Sequence, residues 1–348
     1  MSTLKQRIKA FSELGLLFDD LLKNNDKSEY KNWVDKLKTT VSNAYKFNNW
    51  FEKKNLLLSL GSWKNELNEK NITDWISKYQ IDDYSNKTVA IIMAGNIPLA
   101  GFHDFLCASL LNFNCIIKMS SDDKILLPFI IKFLNHIIPG FEKKNKLTEQ
   151  KLTDFDAVIA TGSDSSFKYF NYYFEKYPSI LRKNRHSIAV LNGKESKNEL
   201  DLLSNDIFQY FGMGCRSVSK IFVPKEYSFD PLFKSFFKYK YVMNNNRYMN
   251  NYDYNKAVFL MSNFKFVENG FKILKEDKKL GSPIACLFYE NYNNIEEIKN
   301  YIKINSQNLQ CIVTNISLKN KVDFGSTQKP KLNDYADNID TVKFLLKI

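Results

Sequence analysis

One cysteine in the chain is surrounded by residue types that make a thiol reactive. Cys215 lies in Phe-Gly-Met-Gly-Cys-Arg-Ser at 211–217, and Arg216 is one of only five arginines. Glycines let a backbone approach a substrate closely, and a neighbouring guanidinium favours the thiolate, which attacks carbonyl carbon. The segment predicts a cysteine nucleophile, with a structural turn as the alternative. Arg216 would either lower the pKa of the thiol or bind substrate.

An asparagine and a histidine follow the first predicted strand of the α/β region. Asn96 stands in Ala-Gly-Asn-Ile-Pro at 94–98. Its side-chain N–H can point at a developing oxyanion, or its side chain can cap the following helix. His103 lies within that helix and is a candidate proton donor or substrate contact, with a structural role as the alternative.

Two further strand ends carry residues suited to a nucleotide. The second strand ends in Lys118-Met119-Ser120, where Lys118 and Ser120 can hold a ribose or a phosphate; the alternative is a strand end that leads into an Asp-capped helix. The third strand ends in Thr161-Gly162-Ser163, where the backbone can approach a dinucleotide phosphate. Ordinary helix capping by Ser163 is the alternative there. No strand is followed by Gly-x-Gly-x-x-Gly, so the common Rossmann fingerprint is missing.

The hydrophobic pattern predicts the scaffold that brings these strand ends together. Residues 1–80 carry helical apolar stripes, and from Lys87 short buried strands alternate with helices. This alternation predicts mostly parallel sheets that bind ligands beyond the carboxyl ends of their strands. The predicted strands are 88–94, 115–119, 157–161, 186–191, 220–223, 257–261, 284–289 and 310–314. The predicted helices are 98–111, 122–138, 164–176, 199–212, 229–238, 267–274 and 294–304, and 240–256 is predicted to be a loop.

Composition narrows the function classes. The net charge is +12, but 45 of the 50 basic residues are lysines scattered along the chain, so we expect a solvated surface and no nucleic-acid partner. The longest apolar stretch, 125–141, is too interrupted to span a bilayer, and the N-terminus lacks an apolar signal core. Three histidines and no zinc-site spacing predict no metal site. Five cysteines without regular spacing indicate a reducing compartment, and we expect a soluble, cytoplasmic protein.

The segments together resemble the aldehyde dehydrogenase superfamily. The resemblance preserves the order of six motifs, and the long forms GNIPLAGFHDFL, FQYFGMGCRSVSKIFVP and GSTQKPKLNDYADNIDTVKFL are similar to the LuxC-like acyl-CoA (fatty-acid) reductases within it. The motifs that carry the likeness are Ala94–Pro98, Ile117–Ser120, Ala160–Ser163, Leu191–Lys194, Gly212–Cys215 and Leu280–Ile284.

The resemblance implies an α/β fold with two Rossmann-like parallel-sheet domains after an N-terminal helical region. The implied domains are 1–84, helical; 85–193, dinucleotide-binding; and 194–348, carrying the catalytic cysteine. It also implies Cys215 as nucleophile, Asn96 as oxyanion donor and NADPH or NADH as cofactor. The implied cofactor contacts are Lys118, Ser120, Thr161, Gly162 and Ser163. The expected reaction is reduction of an acyl-CoA or other acyl thioester to an aldehyde, with a partner protein as acyl donor and a homo-oligomer among the expectations.

Two departures from the wider superfamily bear on the direction of the reaction. Leu191 and Asn192 occupy the segment where oxidising aldehyde dehydrogenases carry a general-base glutamate, and Lys279 replaces the glutamate expected to hold the nicotinamide ribose. Hydrolysis of a thioester intermediate needs an activated water, whereas its reduction needs hydride and a proton. Loss of the base therefore favours a reductase. An aldehyde dehydrogenase that works in the oxidising direction and a non-catalytic relative that kept the fold are the alternatives.

Overall fold

The computed structural model describes residues 2–82 and 85–348 and divides the chain into two compact units. The first unit contains the residues up to Asn184 together with Pro330–Ile348, and the second unit is Arg185–Lys329. The predicted domain boundaries after residues 84 and 193 stay predictions. Among the described residues, no helix has the length and apolar character that a membrane crossing needs.

The first unit begins with the predicted helical region. Its helices are α1 Leu4–Lys23, α2 Lys31–Phe47, α3 Lys53–Glu66 and α4 Glu69–Ile76. The side chains of Thr3 and Gln6 form a capping box that starts α1, because each satisfies a backbone N–H at the helix N-terminus. Leu14, Leu17 and Phe18 are completely buried on one face of α1, as the apolar stripe predicts.

A five-stranded sheet completes the first unit. Its strands are β1 Thr88–Ile92, β2 Asn114–Lys118, β3 Asn145–Thr148, β4 Ala157–Thr161 and β5 Ser179–Arg182, in the order β3-β2-β1-β4-β5. Its helices are α5 Phe102–Leu110, α6 Leu126–Ile137, α7 Phe141–Lys144 and α8 Asp164–Phe174. All four strand pairs are parallel, so the residues that follow β1, β2 and β4 share one edge of the sheet.

The second unit contains a six-stranded sheet. Its strands are β6 His186–Val190, β7 Val218–Pro224, β8 Phe266–Glu268, β9 Ile273–Glu276, β10 Cys286–Tyr292 and β11 Leu309–Val313, in the order β11-β6-β7-β10-β9-β8. Its α-helices are α9 Lys197–Phe208, α10 Asp230–Phe236, α11 Asn246–Met261 and α12 Ile295–Ile304, and 3-10 turns span Gln209–Gly212 and Phe237–Asn244. The sheet is mixed, because the edge strand β8 runs antiparallel to β9.

The C-terminal segment belongs to the first unit. It contains a 3-10 turn at Ala336–Asn338 and the helix α13 Thr341–Leu345.

The predicted loop at 240–256 and strand at 257–261 are wrong, since most of these residues form α11. The side chain of Asn245 accepts a hydrogen bond from the backbone N–H of Tyr248 over 3.1 Å and starts the helix. Tyr248, Tyr252 and Phe259 are buried along one face. The intervening asparagines, which are poor helix formers, conceal this period in the sequence.

The predicted helix at 267–274 is also wrong. These residues form most of the antiparallel pair β8 and β9, in which Val267 is paired with Leu274. Gly270 lies between the strands with φ of +90°, a left-handed conformation that glycine adopts without steric cost. The turn at Gly270 therefore favours a hairpin of two strands over the predicted helix.

Candidate functional site

Cys215 lies in a β-turn at the surface of the second unit. The carbonyl oxygen of Gly214 accepts a hydrogen bond from the backbone N–H of Ser217 over 3.0 Å, which places Cys215 and Arg216 at the two central positions of the turn. The side chain of Cys215 is exposed, whereas the other four cysteines are buried. Those four, Cys107, Cys115, Cys286 and Cys311, are core residues.

The approach to this turn has an unusual backbone. Tyr210 and Phe211 have φ of +53° and +58°, and Gly212 has φ of +78°. A Cβ on Gly212 would also lie 3.1 Å from the carbonyl oxygen of Ile207, which is a tight contact, so both the backbone conformation and the space favour glycine here. Strained conformations of this kind persist only where the surrounding structure holds them, and they are common at functional sites.

Arg216 is tied to the protein on the side of β11. Its Nη1 lies 3.5 Å from the carbonyl oxygen of Thr327 and 3.7 Å from Sγ of Cys311, and both contacts are hydrogen bonds. The guanidinium is thus engaged in the second unit. Both predicted roles of Arg216, lowering the thiol pKa and binding substrate, stay predictions.

A buried carboxylate holds the loop that contacts Arg216. Asp206 accepts hydrogen bonds from the backbone N–H of Gly325 over 2.7 Å, from the backbone N–H of Thr327 over 3.1 Å and from the hydroxyl of Thr327 over 2.8 Å. Gln328 in the same loop donates to the hydroxyl of Ser217 over 3.1 Å. Burial raises the pKa of Asp206 to about 6 despite these hydrogen bonds.

Asn96 is an exposed residue in the loop after β1, in the first unit. It does not cap the following helix, because α5 starts only at Phe102, after Gly101; that alternative is wrong. The loop is held by its neighbours. The hydroxyl of Ser59 donates to the carbonyl oxygen of Pro98 over 3.2 Å, and the backbone N–H of Leu99 donates to Oδ2 of Asp123 over 3.0 Å.

The loops after β1 and β2 are in direct contact. A Cβ added to Gly95 would lie 2.4 Å from Oγ of Ser120, so only glycine permits this approach. Lys118 ends β2, and its Nζ donates to the carbonyl oxygen of Gln150 over 3.4 Å. The structure therefore brings three of the predicted site residues, Asn96, Lys118 and Ser120, to the same edge of the sheet.

Thr161, Gly162 and Ser163 lead from β4 into α8. The hydroxyl of Ser163 accepts a hydrogen bond from the backbone N–H of Ser166 over 3.3 Å and caps the helix, as the alternative interpretation predicts. The capping role is compatible with a nucleotide beside the helix N-terminus, where backbone N–H groups favour an anion. The cofactor role of the three residues stays a prediction.

His103 has a structural environment. Its Nε2 lies 2.8 Å from the carbonyl oxygen of Leu332, and its ring packs near Trp75 and Tyr335, with centroids 5.5 and 5.4 Å away. These contacts join α5 to the C-terminal segment. Such contacts are what the structural alternative predicts for His103. A role of His103 in substrate binding stays a prediction.

Sequence reasoning missed the residues that support the site. Asp206 lies within the buried stripe of α9, between Leu203 and Ile207. A carboxylate at a buried position of a helix was the signal that could have predicted its structural role. Asp123 was treated only as part of a capped helix start. The hydroxyl of Ser187, which donates to the carbonyl oxygen of Cys215 over 2.7 Å, had no signal, because a serine in a strand is unremarkable until the partner strand is known.

Comparisons with known proteins agree with this architecture. Residues 16–232 match the model of the family described as Acyl-CoA reductase (LuxC). The chain is 24% identical over 241 residues to long-chain acyl-protein thioester reductase 2 of Photobacterium leiognathi, which covers 62% of this chain and 49% of that protein. It is 23% identical over 397 residues to Protein Ycf2 of Physcomitrium patens, which covers 99% of this chain and 17% of that protein. The chain thus spans half or less of the length of these curated relatives.

Solved structures establish the fold. The NAD+ complex of an aldehyde dehydrogenase from Bacillus cereus is similar with a TM-score of 0.61 at 12% identity, over 90% of this chain and 72% of that chain. The predicted α/β fold of the aldehyde dehydrogenase superfamily is therefore confirmed, with one parallel sheet, one mixed sheet and an N-terminal helical region.

Proposed function

The chain belongs to the acyl-CoA reductase (LuxC) family, and we propose that it reduces an acyl thioester to an aldehyde through an acyl-enzyme on Cys215. The observation that carries the proposal is the exposed position of Cys215 within a glycine-flanked turn. Buried cysteines are inert, whereas an exposed thiol beside backbone N–H groups has the access that a nucleophile needs.

The first chemical step belongs to Cys215. Its thiolate attacks the carbonyl carbon of the substrate thioester, the new C–S bond forms, and the thiolate of the acyl donor leaves. The side-chain amide of Asn96 and the backbone N–H of Cys215 are the proposed donors to the oxyanion. One such donor is typically worth roughly 3–4 kcal/mol to the transition state.

The first unit has features that fit a dinucleotide. The loops after β1 and β2 approach at Gly95 and Ser120 without side-chain bulk between them, and the N-terminus of α8 follows β4 at the same edge. Lys118 and Ser120 would hold the ribose, and Thr161, Gly162 and Ser163 would approach the phosphates. When bound, reduced nicotinamide dinucleotide, NADPH or NADH, supplies a hydride.

The last step again uses Cys215. Once the acyl carbon carries the hydrogen, the oxyanion of the thiohemiacetal re-forms the C=O bond, the C–S bond breaks, the aldehyde leaves and the thiolate is restored. Leu191 and Asn192 occupy the segment where an oxidising enzyme carries its base, and Leu191 is completely buried and apolar. A side chain of this kind does not activate water, which supports the reducing direction.

The acyl donor is either acyl-CoA, as the family description says, or a protein thioester, as the name of the Photobacterium leiognathi relative says. Both have the same reacting group. An assay with each donor, in the presence of NADPH or NADH, measures aldehyde formed and cofactor oxidised.

The matched variants are Cys215→Ala and Cys286→Ala, which remove an exposed and a buried thiol from the same unit. We expect Cys215→Ala to abolish turnover while cofactor binding is retained, and Cys286→Ala to keep it. Full activity of Cys215→Ala would exclude the acyl-enzyme. Rapid oxidation of aldehyde without CoA would favour the oxidising alternative, and a Cys215 that no acyl donor modifies would favour a non-catalytic relative.

A further inference from the structure

A buried hydroxyl lies directly beneath the turn that carries Cys215. Ser187 is the second residue of β6 and is completely buried. Its Oγ donates to the carbonyl oxygen of Cys215 over 2.7 Å and accepts from the backbone N–H of Cys311 over 3.1 Å. The hydroxyl thus joins the turn to two strands of the sheet at once.

The sheet is irregular where this hydroxyl lies. In the pairing of β6 with β11, Leu309 is opposite His186 and Ile312 is opposite Ile188, so two residues of β11 face Ser187. At this bulge the N–H of Cys311 donates to Oγ of Ser187.

A second irregularity lies on the other side of Ser187. In the pairing of β6 with β7, Val218 is opposite Ser187 and Lys220 is opposite Ile188, which leaves Ser219 as an extra residue. The hydroxyl of Ser219 donates to the carbonyl oxygen of Ser187 over 3.4 Å. Bulges change the direction of side chains and are frequent beside active sites. The bulges in the pairings of β6 with β11 and with β7 both lie at Ser187.

The turn needs such an anchor because its own backbone is permissive. Gly212 and Gly214 have φ of +78° and +149°, and glycine loses more conformational freedom on folding than any other residue. The turn bond from the N–H of Ser217 to the carbonyl oxygen of Gly214 holds the backbone dihedrals of Cys215. With those dihedrals held, fixing the carbonyl of Cys215 also fixes the direction of the Cα–Cβ bond of the cysteine.

We propose that Ser187 is the positioning residue of Cys215: its hydroxyl holds the thiol in the orientation that attacks the thioester. The proposal rests on the function proposed above. It differs from a purely structural role in what it changes, because it affects the reactivity of Cys215 without affecting the affinity for the cofactor.

A matched control exists in the same unit. Ser204 is equally buried, and its hydroxyl also makes two hydrogen bonds, with the carbonyl oxygen of Leu200 over 2.9 Å and with Oγ of Ser235 over 2.8 Å. Ser204→Ala and Ser187→Ala therefore remove the same group from equally buried sites, but only Ser187 contacts Cys215.

The experiment measures two rates in the full chain. One is alkylation of Cys215 by iodoacetamide, mapped by peptide mass spectrometry across pH, and the other is transfer of an acyl group from acyl-CoA in the absence of cofactor. We expect Ser187→Ala to slow acylation and to lower kcat by about tenfold or more. The KM of Ser187→Ala for NADPH or NADH and its unfolding midpoint should match those of Ser204→Ala. The control Ser204→Ala is expected to keep the wild-type rates of alkylation and acylation.

Wild-type rates in folded Ser187→Ala would overturn the proposal. If that variant does not fold, Ser187→Cys keeps the shape of the side chain with a somewhat larger atom and weakens the donor. It is therefore expected to acylate slowly at Cys215, and a wild-type rate there would overturn the proposal instead. A wild-type chain that no acyl donor modifies would contradict the proposed function, while the alkylation rates would still test Ser187.

Discussion

The carboxylate of Asp123 accepts a hydrogen bond from the backbone N–H of Leu99, with 3.0 Å between Oδ2 and the nitrogen. Leu99 has φ of +59°, a left-handed conformation that a bulky residue adopts only when its surroundings hold it. Because Leu99 is three residues beyond Asn96, this bond fastens the loop that carries the proposed oxyanion donor to the loop after β2.

Replacement of Asp123 tests this attachment. Asp123→Ala leaves the N–H of Leu99 without its acceptor, and an unpaired buried donor costs about 1–3 kcal/mol. We expect the loop to shift and kcat for acyl reduction to fall by about tenfold. Asp123→Asn keeps an acceptor oxygen and is expected to remain within about threefold of wild type. Equal steady-state rates for wild type and Asp123→Ala would show that the bond does not position Asn96.

The approach of Gly95 to Ser120 makes a second prediction. Gly95→Ala introduces a Cβ 2.4 Å from Oγ and 2.5 Å from Cβ of Ser120, and overpacking of this kind costs typically 1–3 kcal/mol. The double variant Gly95→Ala/Ser120→Gly removes both clashing atoms, so it should recover at least half of the lost free energy of unfolding. Denaturant unfolding of Gly95→Ala, Ser120→Gly and the double variant measures the coupling, and additive losses of the two single variants would mean that the two loops do not touch.

The cofactor contacts can be tested with two lysines that flank the same loop. Lys118 ends β2, whereas Lys124 pairs with Glu149 at the surface over 3.0 Å. We expect Lys118→Met to raise the Kd for NADPH or NADH by about tenfold or more, which is the range of a hydrogen bond to a charged group. Lys124→Met removes the same charge and should leave the Kd unchanged. Fluorescence titration of the reduced cofactor measures both, and equal Kd values would remove Lys118 from the cofactor site.

Asp206 makes stability depend on pH. Its folded-state pKa is raised to about 6 from an ordinary value of 3.8, so the folded chain retains a proton that the unfolded chain loses. Its contribution is fully present below pH 3.8 and is lost as the pH rises through 6, by at most about 3 kcal/mol. Asp206→Asn cannot titrate, so between pH 4 and 6 its free energy of unfolding should rise relative to wild type. A difference that stays constant over this range would contradict a raised pKa.

Much of the architecture was predictable because local periodicity and packing agree. The runs 89–92 and 157–160 are apolar throughout, as strands covered on both faces must be, and the strands β1 and β4 that contain them were assigned within two residues. In α11 the periodicity was concealed by asparagine and tyrosine. The turn at Gly270 was decided by backbone conformation, which a hydrophobic pattern does not report.

The site was predictable only in its exposed parts. Cys215 and Asn96 are marked by glycine or proline neighbours that are visible in the sequence. The residues that hold them, Ser187 and Asp123, act through hydrogen bonds to backbone atoms 28 and 24 residues away. These hydrogen-bond partners are determined by sheet register and loop packing, so no local sequence pattern predicts them.

The central claim is that the thiol of Cys215 carries the acyl group, and intact-mass measurement after mixing the protein with an acyl-CoA in the absence of cofactor tests it most directly. The account predicts a mass increase of one acyl group that maps to Cys215, disappears when NADPH or NADH is added, and is absent in Cys215→Ala. No adduct on the wild-type chain, or an equal adduct on Cys215→Ala, would contradict it.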